Sequence, residues 1–200
     1  MTGEKTMTAL THQDLFSLEE YARARPTFRA RVMEHKARRR LALGEHATLY
    51  FEDALTMQYQ VQEMLRLERI FEPGLIQDEL DVYNPLIPSG RNWKATFMIE
   101  YDDVDERRAA LAKLIGVEKA VWLQVEGFER VTPIANEDLS RETPDKTAAV
   151  HFLRFELTPE MAAAAKDGAE LAAGIDHPEY RVEVSPVPDA VRSSLVADLA

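Results

Sequence analysis

Glu52 and Glu63 are the first residues of this chain whose type and placing could do chemistry. With Thr56, Tyr59 and Gln60 between them and Arg66 one turn on, they share one side of a helix predicted over 53–70. Such a stripe could supply metal ligands or an acid/base pair, completed by His35, His46 or Glu79 through tertiary folding. The two carboxylates stand eleven residues apart, about 16 Å along an ideal helix, so both cannot serve one small ion if the helix is continuous. A carboxylate-bridged di-iron bundle draws Glu-x-x-His from two of its helices; Glu34-His35 and Glu45-His46 have the wrong spacing. The same side chains also read as a polar seam, with Gln60 and Glu63 satisfying backbone groups or an arginine of the preceding helix, or as a protein-binding face.

Arg23, Arg25, Arg29, Arg31, Lys36, Arg38, Arg39 and Arg40 form a second concentration, opposed within it only by Glu34. A cluster of this kind can grip nucleic acid, an anionic ligand or an acidic partner. Here it spreads around the helix and lacks interleaved aromatics apart from Phe28, which disfavours nucleic acid. Pairing of Arg29 or Arg39 with Glu52, Glu63 or Glu68 is an internal use for the same charges. Arg29, Arg38, Arg39, Arg40 and Arg91 are the candidates for an anion or a partner. Arg91 stands in Gly90-Arg91-Asn92-Trp93-Lys94, which is either an anion-contacting loop or a solvated shoulder.

His151 alternates onto the face of Leu153 and Phe155 and is predicted to be a satisfied core histidine. His177 is predicted in a turn, where Asp176 could orient its ring. The chain has no Gly-rich phosphate loop, no His-Glu-x-x-His, no dinucleotide fingerprint and no Gly-x-Ser-x-Gly elbow. No cysteine is present, which excludes disulfides, thiolate metal sites and cysteine nucleophiles.

The elements that must position these residues follow from periodicity and breakers. Leu10 to Leu15 reads as a helix start with Thr11 as N-cap and Asp14 in the capping position. Pro26 is expected to break this helix and open a second, basic one running to about residue 43, stopped by Gly44. A strand at 47–51 precedes the 53–70 helix, whose core side is Ala54, Met57, Val61, Met64 and Leu65. Residues 83–90, with two prolines and a glycine, form the junction. Beyond it come a strand (95–101), a helix (105–115), a strand (120–126), a long polar connection, a strand (148–157), a helix through the alanine block (158–173) and a strand (180–184). A terminal helix spans 189–199. This β-α-β-β-α-β order predicts an α+β protein in which a helical N-terminal half, residues 1–90, precedes a ferredoxin-like half, residues 91–200, ending in a C-terminal helix; the two halves could form one integrated domain.

The net charge of -11 is uneven: residues 1–100 hold 13 basic and 15 acidic residues, residues 101–200 hold 11 and 20. The second half is therefore ill suited to a phosphate backbone. No run of eighteen apolar residues occurs and residues 1–11 lack the pattern of a signal peptide, so a cytoplasmic protein is expected.

Leu43-Gly44, Phe51-Glu52-Asp53, Thr56, Tyr59-Gln60-Val61-Gln62-Glu63-Met64-Leu65-Arg66, Glu68 and Glu79-Leu80 form one series of motifs. Tyr83-Asn84-Pro85-Leu86-Ile87-Pro88, Ala95-Thr96, Glu100 and Val150-His151-Phe152-Leu153-Arg154-Phe155 continue it. Together they resemble the bacterial family named domain of unknown function 3501 (DUF3501), over nearly the whole chain from Leu10. The resemblance implies an accessory role beside rubrerythrin-like proteins and iron–sulfur oxidoreductases, in a redox or peroxide-stress system. It carries no assigned catalytic residues. The leading expectation is a non-catalytic accessory protein acting through protein contacts. The alternatives are a metal- or small-molecule-binding enzyme at the Gln60/Glu63 helix and a nucleic-acid regulator using the basic helix. A monomer and a homodimer joined through a sheet both fit the strands.

Overall fold

Ser17 opens the first long helix, α1 (Leu18–Ala37), through a reciprocal capping box with Glu20. The computed structural model describes residues 9–141 and 143–200; most of the segment read for a leader therefore lies outside the described residues. Thr11 and Asp14 do cap each other, but around a short 3₁₀ turn at His12–Asp14. Leu10 and Leu15 both pack into the apolar cluster beneath it. Pro26 does not break the chain into two helices: it lies inside α1. Tyr21 before it and Phe28 and Val32 after it are buried against Phe16, Leu55 and Tyr59. That packing overrides a local cost of about 3 kcal/mol for an interior proline.

The basic segment is shorter as a helix than expected. It ends at Ala37, and Arg40 already belongs to β1 (Arg40–Ala42), which pairs antiparallel with β2 (Ala47–Phe51). Gly44, expected as a helix stop, makes the turn between them at φ +78°, a conformation open to glycine and costly for other residues. Asp53 then caps α2 (Ala54–Glu68), and Pro73 starts α3 (Pro73–Tyr83). Met57, Val61 and Leu65 of α2 bury together with Leu80 of α3, Leu10 and Ile87, and Ala54 packs against them. The junction holds a 3₁₀ turn, Asn84–Leu86, tied to Leu10 by both ends of the Asn84 side-chain amide.

The remaining elements are β3 (Asn92–Ile99), α4 (Val104–Lys113), α5 (Val117–Ala120), β4 (Val121–Val125), β5 (Ile134–Ala135) and β6 (Val150–Glu156). They are followed by α6 (Pro159–Lys166), β7 (Leu171–His177), β8 (Tyr180–Val184) and α7 (Asp189–Val196). The α+β class, the helical first region, the mixed second region and the C-terminal helix all stand as expected. The pairing departs from a ferredoxin-like sheet. One sheet has the order β1-β2-β3-β6-β5 and a second β4-β7-β8, with every neighbour antiparallel.

The alanine block explains the split. Helix α6 stops at Lys166, Gly168 turns the chain at φ +112°, and Leu171-Ala172-Ala173 extend as β7. Alanine's helix propensity yields here to packing. Gly174 pairs with Trp122, and a Cβ on Gly174 would stand 2.5 Å from the indole and 2.4 Å from the Val182 carbonyl oxygen. The indole also carries the Arg130 guanidinium, 3.7 Å from the ring centroid. With β7 as its partner, β4 leaves the first sheet.

The two sheets still enclose one core. Leu49, Phe51, Trp93, Phe97 and Phe155 of the first meet Leu123, Val125, Ala173 and Ile175 of the second. Residues 131–135 stitch one side: Val131 bridges Leu123, and β5 pairs with β6. On the other side the Tyr180 hydroxyl donates to the Leu43 carbonyl and accepts from the His46 amide. Gly174→Ala is expected to destabilise the protein by about 1–3 kcal/mol through overpacking. Chemical denaturation followed by tryptophan fluorescence checks this.

Candidate functional site

The polar residues of the helical region collect in two places, one at the end of α1 and start of α2, the other between the bodies of the same two helices. The first lies where α1 ends and α2 begins. Arg39, directly after the C-cap of α1, is 2% exposed. Its Nε donates to the Phe51 carbonyl and its Nη2 to the Glu52 carbonyl, both at 3.0 Å. The same guanidinium forks onto both carboxylate oxygens of Asp198 and reaches the Ser194 hydroxyl at 2.9 Å. Asp53 Oδ2 lies 3.5 Å away.

Asp53 has a double task. Its Oδ1 accepts from the Thr56 amide, which caps α2, while Oδ2 meets His35 Nε2 at 2.5 Å. Burial alone would raise its pKa; the His35 hydrogen bond, the Arg39 charge and the Thr56 amide outweigh it and hold the carboxyl below its ordinary range. Asp198 is shifted the other way. Burial pushes it up to about 6 against the pull of Arg39, with the Asp53 charge adding to the rise. Glu52 is buried beside this cluster: Oε1 accepts from the Thr96 hydroxyl at 2.7 Å, and Oε2 has no hydrogen-bond partner among the described residues.

The second place is farther along α2. Glu63 receives Arg25 in a two-pronged contact at 2.7 and 2.9 Å, the Tyr21 hydroxyl at 2.7 Å and Arg66 at 3.2 Å. The Arg25 hydrogen bonds, ahead of those from Tyr21 and Arg66, lower its pKa to about 2. In turn, burial and the Glu63 carboxylate push the Tyr21 phenol well above its ordinary range. Glu63 is thus a fully engaged seam residue joining α1 to α2.

The structure brings His35 and Glu52 to the Arg39 cluster, and Glu63 and Arg66 to the other. Gln60 is half-buried between them on α2, and Glu79 lies on α3. Arg29 is exposed, Arg38 pairs with Glu34, Arg40 lies over the Tyr50 ring, and Arg91 is exposed at the entry to β3. Sequence reasoning passed over Tyr21, Asp198, Ser194 and Gln62. Gln62 is wholly buried, and its side-chain amide bonds the Phe16 backbone. The spacing Asp53-x-x-Thr56 is a readable capping signal, whereas no local pattern ties Asp198 to Arg39, 159 residues away.

The two strand histidines are structural. His151 is buried, with Nδ1 facing the Asn136 amide and Nε2 facing the Ala148 carbonyl and the Thr147 hydroxyl, each at 3.0 Å. His177 ends β7 and contacts the Ile115 carbonyl. Asp176 does not orient it, because that carboxylate turns to Arg181 at 3.2 Å. Among the described residues no group of three or more His, Asp or Glu side chains is arranged to hold a metal ion, and no helix is long and apolar enough to cross a membrane.

Arg39→Met is expected to cost about 3–5 kcal/mol, because it leaves buried carboxylates without their cation. Urea denaturation measures the loss, and adding Asp198→Leu should recover part of it. Glu63 binds its proton more weakly folded than unfolded, so its stabilisation is complete above pH 4.5 and disappears as pH falls toward 2. Unfolding midpoints taken across that window should fall less steeply for Glu63→Gln than for the wild-type chain.

A family model described as "Protein of unknown function (DUF3501)" matches residues 9–199. A crystal structure from Burkholderia pseudomallei, described as a novel protein of unknown function, shares 49% identity with this chain. The alignment covers 96% of this chain and 100% of that one, with a TM-score of 0.91. No curated protein matches the chain. The length of the family match and the closeness of that structure agree: the chain belongs to the DUF3501 family.

Proposed function

We propose that this protein is a non-catalytic accessory factor that works by docking to another protein, through the hairpin of α2 and α3. The observation that carries the reading is an apolar stripe on that hairpin. Leu67 is 62% exposed, Phe71 69%, Leu75 48% and Val82 63%. Four of the nine large hydrophobics exposed among the described residues therefore fall within sixteen positions. Scattered exposed apolar residues need no explanation, but a concentrated group rimmed by charge is the mark of an interaction site. The engagement of Glu63 by Arg25, Tyr21 and Arg66, and of Arg39 by Asp198, further supports a structural use for most of the buried charge.

The setting follows from the family resemblance: a cytoplasmic bacterial redox or peroxide-stress system, with a rubrerythrin-like protein or an iron–sulfur oxidoreductase as partner. A second reading, a small-molecule or metal site at the start of α2, is favoured by the buried, unpartnered Glu52 Oε2. Elemental analysis of protein purified without chelator separates the metal form of it, since a content well below one ion per chain excludes that form.

The docking reading is tested by mixing the purified protein with a rubrerythrin-like protein and an iron–sulfur oxidoreductase of the source organism. A complex with one of them is expected in analytical ultracentrifugation, together with its loss in Leu67→Ser/Phe71→Ser. A complex that survives the double substitution rules out the stripe. Failure of both partners to bind rules out the redox assignment.

A further inference from the structure

Resting on the docking reading above, we infer that the α2–α3 stripe is the seat of a basic amphipathic helix presented by the partner protein. The shape comes first. Leu75 and Val82 are seven residues apart on α3, two turns along one face, while Ile76, Leu80 and Tyr83 pack inward. Leu67 on the last turn of α2 and Phe71 in the connection are exposed as well, just before the start of α3. Helices that lie against such surfaces insert side chains at i, i+3/i+4 and i+7, a rhythm that a two-turn stripe can receive.

The charge decides the occupant. Residues 67–83 contain five carboxylates, Glu68, Glu72, Asp78, Glu79 and Asp81, against one basic residue, Arg69. Glu68, Glu72, Asp78 and Asp81 are all exposed around the apolar residues. Burial, and then the charges of Glu68 and Asp78, raise the pKa of Glu79, so these carboxylates share one field. A second copy docking through a two-fold axis would set this negative rim against itself. An anionic membrane or a nucleic acid meets the same repulsion. A helix with Leu or Ile on one face and Lys or Arg flanking it satisfies both parts of the surface and is steered toward it.

Three labelled peptides test this by fluorescence anisotropy with the full chain. One is helical and amphipathic with a Lys/Arg polar face, one has the same apolar face but a Glu polar face, and one has the basic composition with its apolar order scrambled. The first should bind about tenfold or more tightly than either control, and should weaken on adding salt. Phe71→Ser should weaken it about tenfold, as loss of an aromatic anchor does; the residue is exposed, so thermal unfolding should be unchanged. Glu68→Lys/Glu72→Lys/Asp78→Lys should weaken it comparably. Equal binding of the acidic or the scrambled peptide overturns the inference, as does self-association of the chain that Phe71→Ser abolishes. If Phe71→Ser abolishes partner binding while the charge reversal leaves it intact, the basic helix is wrong and the docking surface stands. If neither substitution affects partner binding, the docking surface itself is wrong.

Discussion

The guanidinium of Arg39 is the contact through which the separate parts of this protein are held in register. Its donors are divided among the end of β2, the entrance of α2 and the last turn and C-terminal edge of α7. A guanidinium is suited to this because its five N–H groups are fixed in a plane and cannot be neutralised at any ordinary pH. Burying it costs several kcal/mol of desolvation, and only close geometry with full satisfaction offsets that cost. The result favours one relative placement of helices and sheets over nearby ones more than it adds to stability. Asp53 connects this contact to the α2 cap and, through His35, to the last turn of α1.

Two uses of carboxylates emerge from one acidic chain. Asp53, Glu63 and Asp198 face arginines or a histidine and help to position elements. Glu68, Glu72, Asp78 and Asp81 stand in solvent on the α2–α3 hairpin beside exposed leucine and phenylalanine. Surface charge of the second kind contributes little to folding. Its effect is on what the surface will accept.

Much of this was legible in the sequence wherever the determinant was local. The Thr11–Asp14 cap and the buried side of α2 at Met57, Val61 and Leu65 could be read from spacing; the sequence pointed Glu63 toward Arg29 or Arg39, and it is Arg25 that pairs with it. Three features could not. Pro26 stays in a helix because Tyr21 and Phe28 find partners on α2. Ala172 and Ala173 leave a helix as part of β7, whose Gly174 lies across from Trp122 with no room for a Cβ. Arg39 looked like one more member of a basic helix, and only its distant partner Asp198 shows why it is buried. In each case the deciding contact is remote, and periodicity carries no information about it. Of the proposed site residues, His35 and Glu52 do approach one another's surroundings, but what joins them is a structural arginine.

The separation of Arg39 from Asp198 also has a consequence in time. The two are 159 residues apart, which at ribosomal elongation speeds is a delay of roughly ten to thirty seconds during synthesis. Throughout that interval the helical region has emerged with its central cation still lacking its forked carboxylate. Helices α1 and α2 can meet through Glu63 and Tyr21, and Arg39 can already reach the Phe51 and Glu52 carbonyls and Asp53, while its forked contact waits for Asp198. The forked half of this contact can form only after α7 has been made, well after α1, β2 and the start of α2.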